Sequence, residues 1–170
     1  MLPKSYIIAK WTVYSLATLL LFALQHLILN HIDLLGATPF LYPMLPALVA
    51  SYEGLRRGSV FSLVLGVVCD LLIVGPFDGF YTVIFTLIGI FAALIGENVF
   101  SPGWLCGFVV SLMGLGLTAA ARLLLFLLSG ELRPILMGRL AIAECLITLP
   151  ALLLALPVYR WIHRRCAVEY

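Results

Sequence analysis

At 170 residues, 64% hydrophobic and 11% charged, with a mean hydropathy of +1.16, the chain has too little polar surface for a soluble domain and reads as an integral membrane protein. Its formal charge of +2 is too small to point to nucleic acid, and no composition break or linker divides it, so residues 1–170 are expected to form one membrane domain. A transmembrane β-barrel would need alternating apolar and polar positions, which are absent, and helices remain as the spanning element.

The first predicted helix runs from Trp11 to Leu29, behind Lys4 and Lys10. Its apolar run is longer than the ~7–15 residues of a signal sequence and ends at Asn30-His31 without a small-x-small pattern, so it is expected to stay as an anchor. A loop with Asn30, His31, Asp33 and Gly36 leads to the segment Pro39 to Tyr52, which carries Pro39, Pro43 and Pro46. As a helix this segment rises only ~21 Å. Internal prolines remove helix hydrogen bonds, so a short, proline-bent or partly broken second helix is expected, buried among its neighbours.

Glu53-Gly54-Leu55-Arg56-Arg57 reads as a tight polar turn. The third helix is placed at Gly58 to Val74, and Gly75-Pro76-Phe77-Asp78-Gly79 stops it. The fourth covers Phe80 to Ile95, and Glu97-Asn98 through Ser101-Pro102-Gly103 breaks the pattern. The fifth covers Trp104 to Leu128. After Ser129-Gly130-Glu131-Leu132-Arg133-Pro134 comes the sixth, Arg139 to Trp161, containing Pro150 and Pro157. The expected fold is therefore all-α, a polytopic bundle of about six transmembrane helices. Cytoplasmic termini place Lys4, Lys10, Arg56, Arg57, Arg160, Arg164 and Arg165 inside, seven of the 10 basic residues, against Arg133 and Arg139 outside. The C-terminal Arg160-Trp161-Ile162-His163-Arg164-Arg165 reads as an anchor at lipid headgroups.

Three ionisable residues fall inside apolar segments: Asp70, Arg122 and Glu144. At 1.5 Å per residue they lie ~18, ~27 and ~8 Å from the starts of their predicted helices, which puts all three in the outer half of the bilayer together with Gln25 and His26. Two readings follow. One is a polar pocket opening outward, with Arg122 bridging the carboxylates or meeting an anionic ligand. The other is an ion pair or triad that fixes helix rotation and register. Small residues recur at four-residue steps in Gly58, Ser62, Gly66 and Asp70, in Gly103, Gly107 and Ser111, and in Gly89 and Ala93, a pattern that lets helix backbones approach closely.

No P-loop, H-E-x-x-H or G-x-S-x-G motif occurs. His26 and His31 straddle a helix end, and His163 belongs to the opposite side. Cys69, Cys106, Cys145 and Cys166 form no C-x-x-C pair. The sequence thus predicts no enzyme, no cofactor and no metal site.

The central third carries a resemblance. Tyr52-Glu53-Gly54 with Arg56-Arg57-Gly58, then Gly66-Val67-Val68-Cys69-Asp70-Leu71-Leu72, then Gly75-Pro76-Phe77-Asp78-Gly79-Phe80-Tyr81, resembles the MreD family of bacterial rod-shape-determining membrane proteins. That family shows a glycine-rich helix ending in G-L-x-x-D-L, a G-x-P-x-G turn and another apolar helix, in chains of about this size with a similar number of crossings. The resemblance covers Pro39 to Gly96, and the turn here carries Asp78 as one residue more than the common form. It implies a non-enzymatic component of the cell-elongation machinery in the bacterial inner membrane, partnering MreC and, through it, MreB, RodA and a penicillin-binding transpeptidase. Asp70, Gly66, Gly75, Pro76 and Gly79 are the candidate structural or interface residues within the motif, with Arg122 and Glu144 outside it. The runner-up is a substrate-binding S component of an energy-coupling-factor vitamin transporter, also a six-helix protein of this length, whose outward pocket the set Gln25, His26, Asp70, Arg122 and Glu144 would suit. Its usual A-x-x-x-A pattern is absent, since Ala9, Ala17 and Ala23 are not so spaced. A phosphatidyl transferase would need an aspartate-rich motif, and Asp33, Asp70 and Asp78 lie on separate elements.

Overall fold

Long apolar runs punctuated by glycine and proline fold, in the computed structural model, into helices joined by short connections. The structure describes residues 4–31, 38–100, 103–129 and 134–166. The helices are α1 (Lys4–Leu27), followed by a 3-10 turn at Leu29–His31, then α2 (Met44–Leu72), α3 (Phe80–Asn98), α4 (Trp104–Leu128) and α5 (Pro134–Cys166), with no strand among the described residues. The predicted loop residues Asp33, Gly36, Ser101, Pro102 and Gly130 to Arg133 lie outside the described residues, as do the side chains of Lys4, Arg165 and Cys166.

Three stretches are long and apolar enough to cross a membrane: Phe80–Asn98, Trp104–Leu128 and, within α5, Gly138–Arg164. That is fewer than the six expected. The reason is local polarity, because α1 carries Lys10, Gln25 and His26, and α2 carries Glu53, Arg56, Arg57 and Asp70.

The second and third predicted helices are the two parts of α2, which breaks at Gly54 (φ 78°, ψ 177°). Such backbone is open essentially only to glycine. The chain doubles back there, and the space a Cβ on Gly58 would take is only 2.5 Å from the Cα of Ala50. The expected proline bend is therefore corrected. Pro39 precedes the helix, Pro43 is its N-cap and Pro46 sits in its first turn, where no intrahelical N–H bond is lost. Gly54 is the only non-helical position inside α2, and its second part begins before the predicted Gly58. The other boundaries shift modestly: α1 ends at Leu27, α3 continues past Ile95 to Asn98, and α5 extends the sixth prediction at both ends.

Every residue from Leu41 to Tyr52 is buried. An all-round apolar helix belongs in the middle of a bundle, and the first part of α2 occupies that place. The non-helical backbone leading into it is satisfied by side chains of flanking helices. Gln25 Nε2 donates to the Pro39 carbonyl at 2.6 Å, and Gln25 Oε1 accepts the Leu41 N–H at 3.0 Å. Thr148 Oγ1 on α5 accepts the Phe40 N–H at 2.9 Å. Irregular backbone in an apolar interior persists only when so partnered.

The small residues serve contacts within the chain. A Cβ on Gly66 would lie 2.6 Å from Thr82 Cα, one on Gly96 would meet the Ser51 carbonyl at 2.6 Å, and one on Gly89 would collide with Ser62. These contacts seat α2 directly on α3. On α4, Gly114 faces the Pro43 carbonyl and Gly107 faces Leu156 and Leu48. α1 joins α5 through Thr18 Oγ1 and the Tyr159 hydroxyl, 2.8 Å apart, beside the stacked rings of Tyr14 and Tyr159.

Candidate functional site

Asp70 lies in the last turn of α2, and its carboxylate starts the next helix. Oδ1 accepts the Tyr81 N–H at 2.9 Å, and Oδ2 accepts both the Thr82 N–H at 2.8 Å and the Thr82 hydroxyl at 2.5 Å. Those amides belong to the first turn of α3, whose N–H groups have no partner within the helix. The N-cap position itself is Gly79, left-handed at φ 87°, and makes no side-chain cap bond. Asp70 thus performs from the preceding helix the task a cap residue performs locally. A negative charge at a helix N-terminus also complements the helix dipole.

The side chain of Tyr81 carries the cluster onward. Its hydroxyl accepts from Arg122 Nη2 at 3.1 Å, while Arg122 Nη1 lies 3.3 Å from Glu144 Oε2. The guanidinium also stacks over Phe40, 4.2 Å from the ring centroid. Arg122 is therefore shared among an anion, a phenol and a π face, each a favourable partner for a planar cation. Both side chains of the Arg122–Glu144 pair are about one-third exposed, at 30% and 31%, so the pair is screened and its net value modest.

The three intramembrane charges are thus divided. Arg122 and Glu144 meet, whereas no ion pair joins Asp70 to Arg122 among the described residues. Among the described residues Asp70 is connected to the pair through Tyr81, whose amide it holds and whose hydroxyl Arg122 holds. Gln25 is buried in its clamp on the non-helical segment, and His26 is exposed. Gly75 packs beside the Tyr81 ring. Pro76 is exposed and borders a cleft of about 420 Å³ between α4 and α5, walled by Ala119, Arg122, Phe126, Leu140 and Glu144. The cleft combines apolar walls with one cation and one anion, a surface suited to binding. No group of three or more His, Cys, Asp or Glu that could hold a metal occurs among the described residues.

Sequence reasoning missed Tyr81, Phe40 and Thr148. Tyr81 had a signal, standing two residues after the turn's last glycine; Phe40 and Thr148 had none beyond their type. No protein family, curated protein or solved structure is matched by this chain.

Proposed function

We propose that the chain is a non-enzymatic membrane scaffold of the MreD type, a component of the bacterial cell-elongation machinery that binds MreC and, through it, MreB, RodA and a penicillin-binding transpeptidase. The observation that carries this reading is the convergence of the motif residues on one contact. Gly66 lets α2 touch the start of α3, Asp70 caps that start, and Gly79 supplies the left-handed turn into it. The motif thereby specifies a fixed pair of helices, which is what a partner's transmembrane anchor needs to recognise.

The chain crosses the inner membrane six times with both termini cytoplasmic. Contacts support the alternation: Lys10 meets Glu53 at one end of the bundle, and Gln25 meets Pro39 toward the other. The ten-residue first part of α2 rises about 15 Å. The four residues 38–41, ahead of the turn at Tyr42 and Pro43, add at most roughly 13 Å, which together approaches a ~30 Å core. Because the glycine stripes are occupied within the chain, MreC meets the exposed apolar side chains of this helix pair instead, such as Leu63, Val67 and Leu71 on α2 or Val83, Leu87 and Phe91 on α3.

A second reading, the S component of a vitamin transporter, is favoured by one observation, the 420 Å³ cleft beside Arg122 and Glu144. Pull-down of the tagged chain from native membranes with mass spectrometry separates the two. Recovery of MreC and RodA is the expected result. A coupling subunit with ATPases, or a tightly held vitamin, contradicts the scaffold reading.

A further inference from the structure

A second cleft, of about 760 Å³, opens at the opposite end, between α1 and the second part of α2. Its mouth is charged and its wall apolar. The carboxylates at the mouth are already engaged: Glu53, whose side chain is 1% exposed, pairs with Lys10 at 2.7 Å, and Glu97 Oε1 accepts the Leu55 N–H at 2.7 Å. Arg56 and Arg57 are exposed, and no ion pair involving either occurs among the described residues. One turn further along, the wall turns apolar. Val60 and Val64 are 62% and 54% exposed, and Phe61 closes the floor against Trp11 with ring centroids 6.0 Å apart. From Arg57 to Val64 this trough runs about 10 Å along the helix.

We infer that this cleft binds an anionic phospholipid, its phosphate held by Arg56 and Arg57 and an acyl chain lying along Val60 and Val64 beside Trp11. Charge complementarity selects the anion. Two guanidinium groups without carboxylate partners among the described residues match phosphate oxygens in a forked geometry that a zwitterionic headgroup neutralises in part. The trough selects the chain, because an apolar wall continuing from the cations gives a soluble phosphate or an acidic peptide nothing to cover. Basic pockets between membrane helices commonly take acidic headgroups. The inference rests on the membrane-spanning reading above and is independent of which protein the scaffold binds.

Native mass spectrometry of the full chain in non-ionic detergent tests it, with phosphatidylglycerol and phosphatidylcholine of identical acyl chains offered at equal concentration. Phosphatidylglycerol is expected to be retained about tenfold more. The double variant Arg56→Gln/Arg57→Gln brings the two lipids level, and Arg56→Lys/Arg57→Lys restores part of the difference. Ser15→Trp fills the trough with both arginines intact and also lowers retention. Glycerol 3-phosphate, the headgroup without chains, does not compete. Equal retention of both lipids overturns the inference, as does wild-type retention by the double Gln variant or by Ser15→Trp. Competition by glycerol 3-phosphate, or displacement of the lipid by an acidic peptide, overturns it equally. Wild-type elution on size exclusion establishes that each variant is folded. No partner protein enters the measurement, so its failure is distinct from failure to recover MreC.

Discussion

The two ends of the α2–α3 pair use one device at very different strength. At one end a half-buried Asp70 accepts two amides and a hydroxyl from the first turn of α3. At the other, Glu97 at the end of α3 accepts the single Leu55 N–H that restarts α2 after Gly54, and it does so exposed. Both are carboxylates on one helix serving the orphan amides of another. The first leads into a continuous polar network through Tyr81, Arg122 and Glu144; the second borders an open basic cleft. A carboxylate among apolar side chains must be fully partnered, whereas one at an aqueous boundary can share its work with water. The difference separates the end that fixes geometry from the end left open for a ligand.

Separating the helices at the stronger end has the largest expected effect. Gly66→Leu drives a side chain into the Thr82 backbone and dismantles the Asp70 contacts with it, costing about 3 kcal/mol or more. Thermal unfolding in detergent should drop steeply, while Gly116→Leu, where a Cβ meets no atom within 4 Å, leaves the melting temperature unchanged. Asp70→Ala keeps the packing and removes the cap, with an expected loss of about 2–3 kcal/mol because two amides lose a charged acceptor. Asp70→Asn should fall between Ala and wild type in the same melt.

Smaller effects sharpen the contrast. The Arg122–Glu144 pair, screened by its one-third exposure, should show a coupling of about 0.5–1 kcal/mol in a double-mutant cycle of Arg122→Gln and Glu144→Gln. A coupling several times larger would mean that the cleft is drier than its exposure indicates. Glu97→Ala should cost least, about 0.5 kcal/mol, since water replaces it at the Leu55 amide. If Glu97→Ala and Asp70→Ala shift the unfolding midpoint equally, the distinction between the ends fails.

Much of the architecture was legible in the sequence because apolar runs and Gly/Pro punctuation are local signals. Trp104–Leu128 is found where expected, and the turn at Gly75 to Gly79 ends α2 and begins α3. The break at Gly54 falls inside the turn predicted at Glu53 to Arg57, whereas the proline bend expected between Pro39 and Tyr52 is absent. Three prolines drew attention to the second helix, yet all lie ahead of it or in its first turn, and a single glycine does the breaking. Proline position relative to a helix start depends on where the chain enters the core, which tertiary contacts decide. A common depth for Asp70, Arg122 and Glu144 was expected from rise per residue, but which of them pair depends on helix rotation, and close contacts fix that: Gly66, Gly89 and Gly96 between α2 and α3, Gly107 and Gly114 between α4 and its neighbours. Those stripes were visible in sequence; that their partners lie within the chain was not. Gln25 was noted for its depth alone, because a side chain that clamps a non-helical segment 14 residues away leaves no periodic trace.

The most direct test of the account is the recovery of MreC from native membranes with Asp70→Ala, at matched membrane levels, with Asp78→Ala on the exposed turn as the comparison. The account predicts that MreC co-purifies with wild type and Asp78→Ala and falls to background with Asp70→Ala, because the partner recognises the helix pair that Asp70 holds. Equal recovery of MreC with Asp70→Ala and wild type would contradict it.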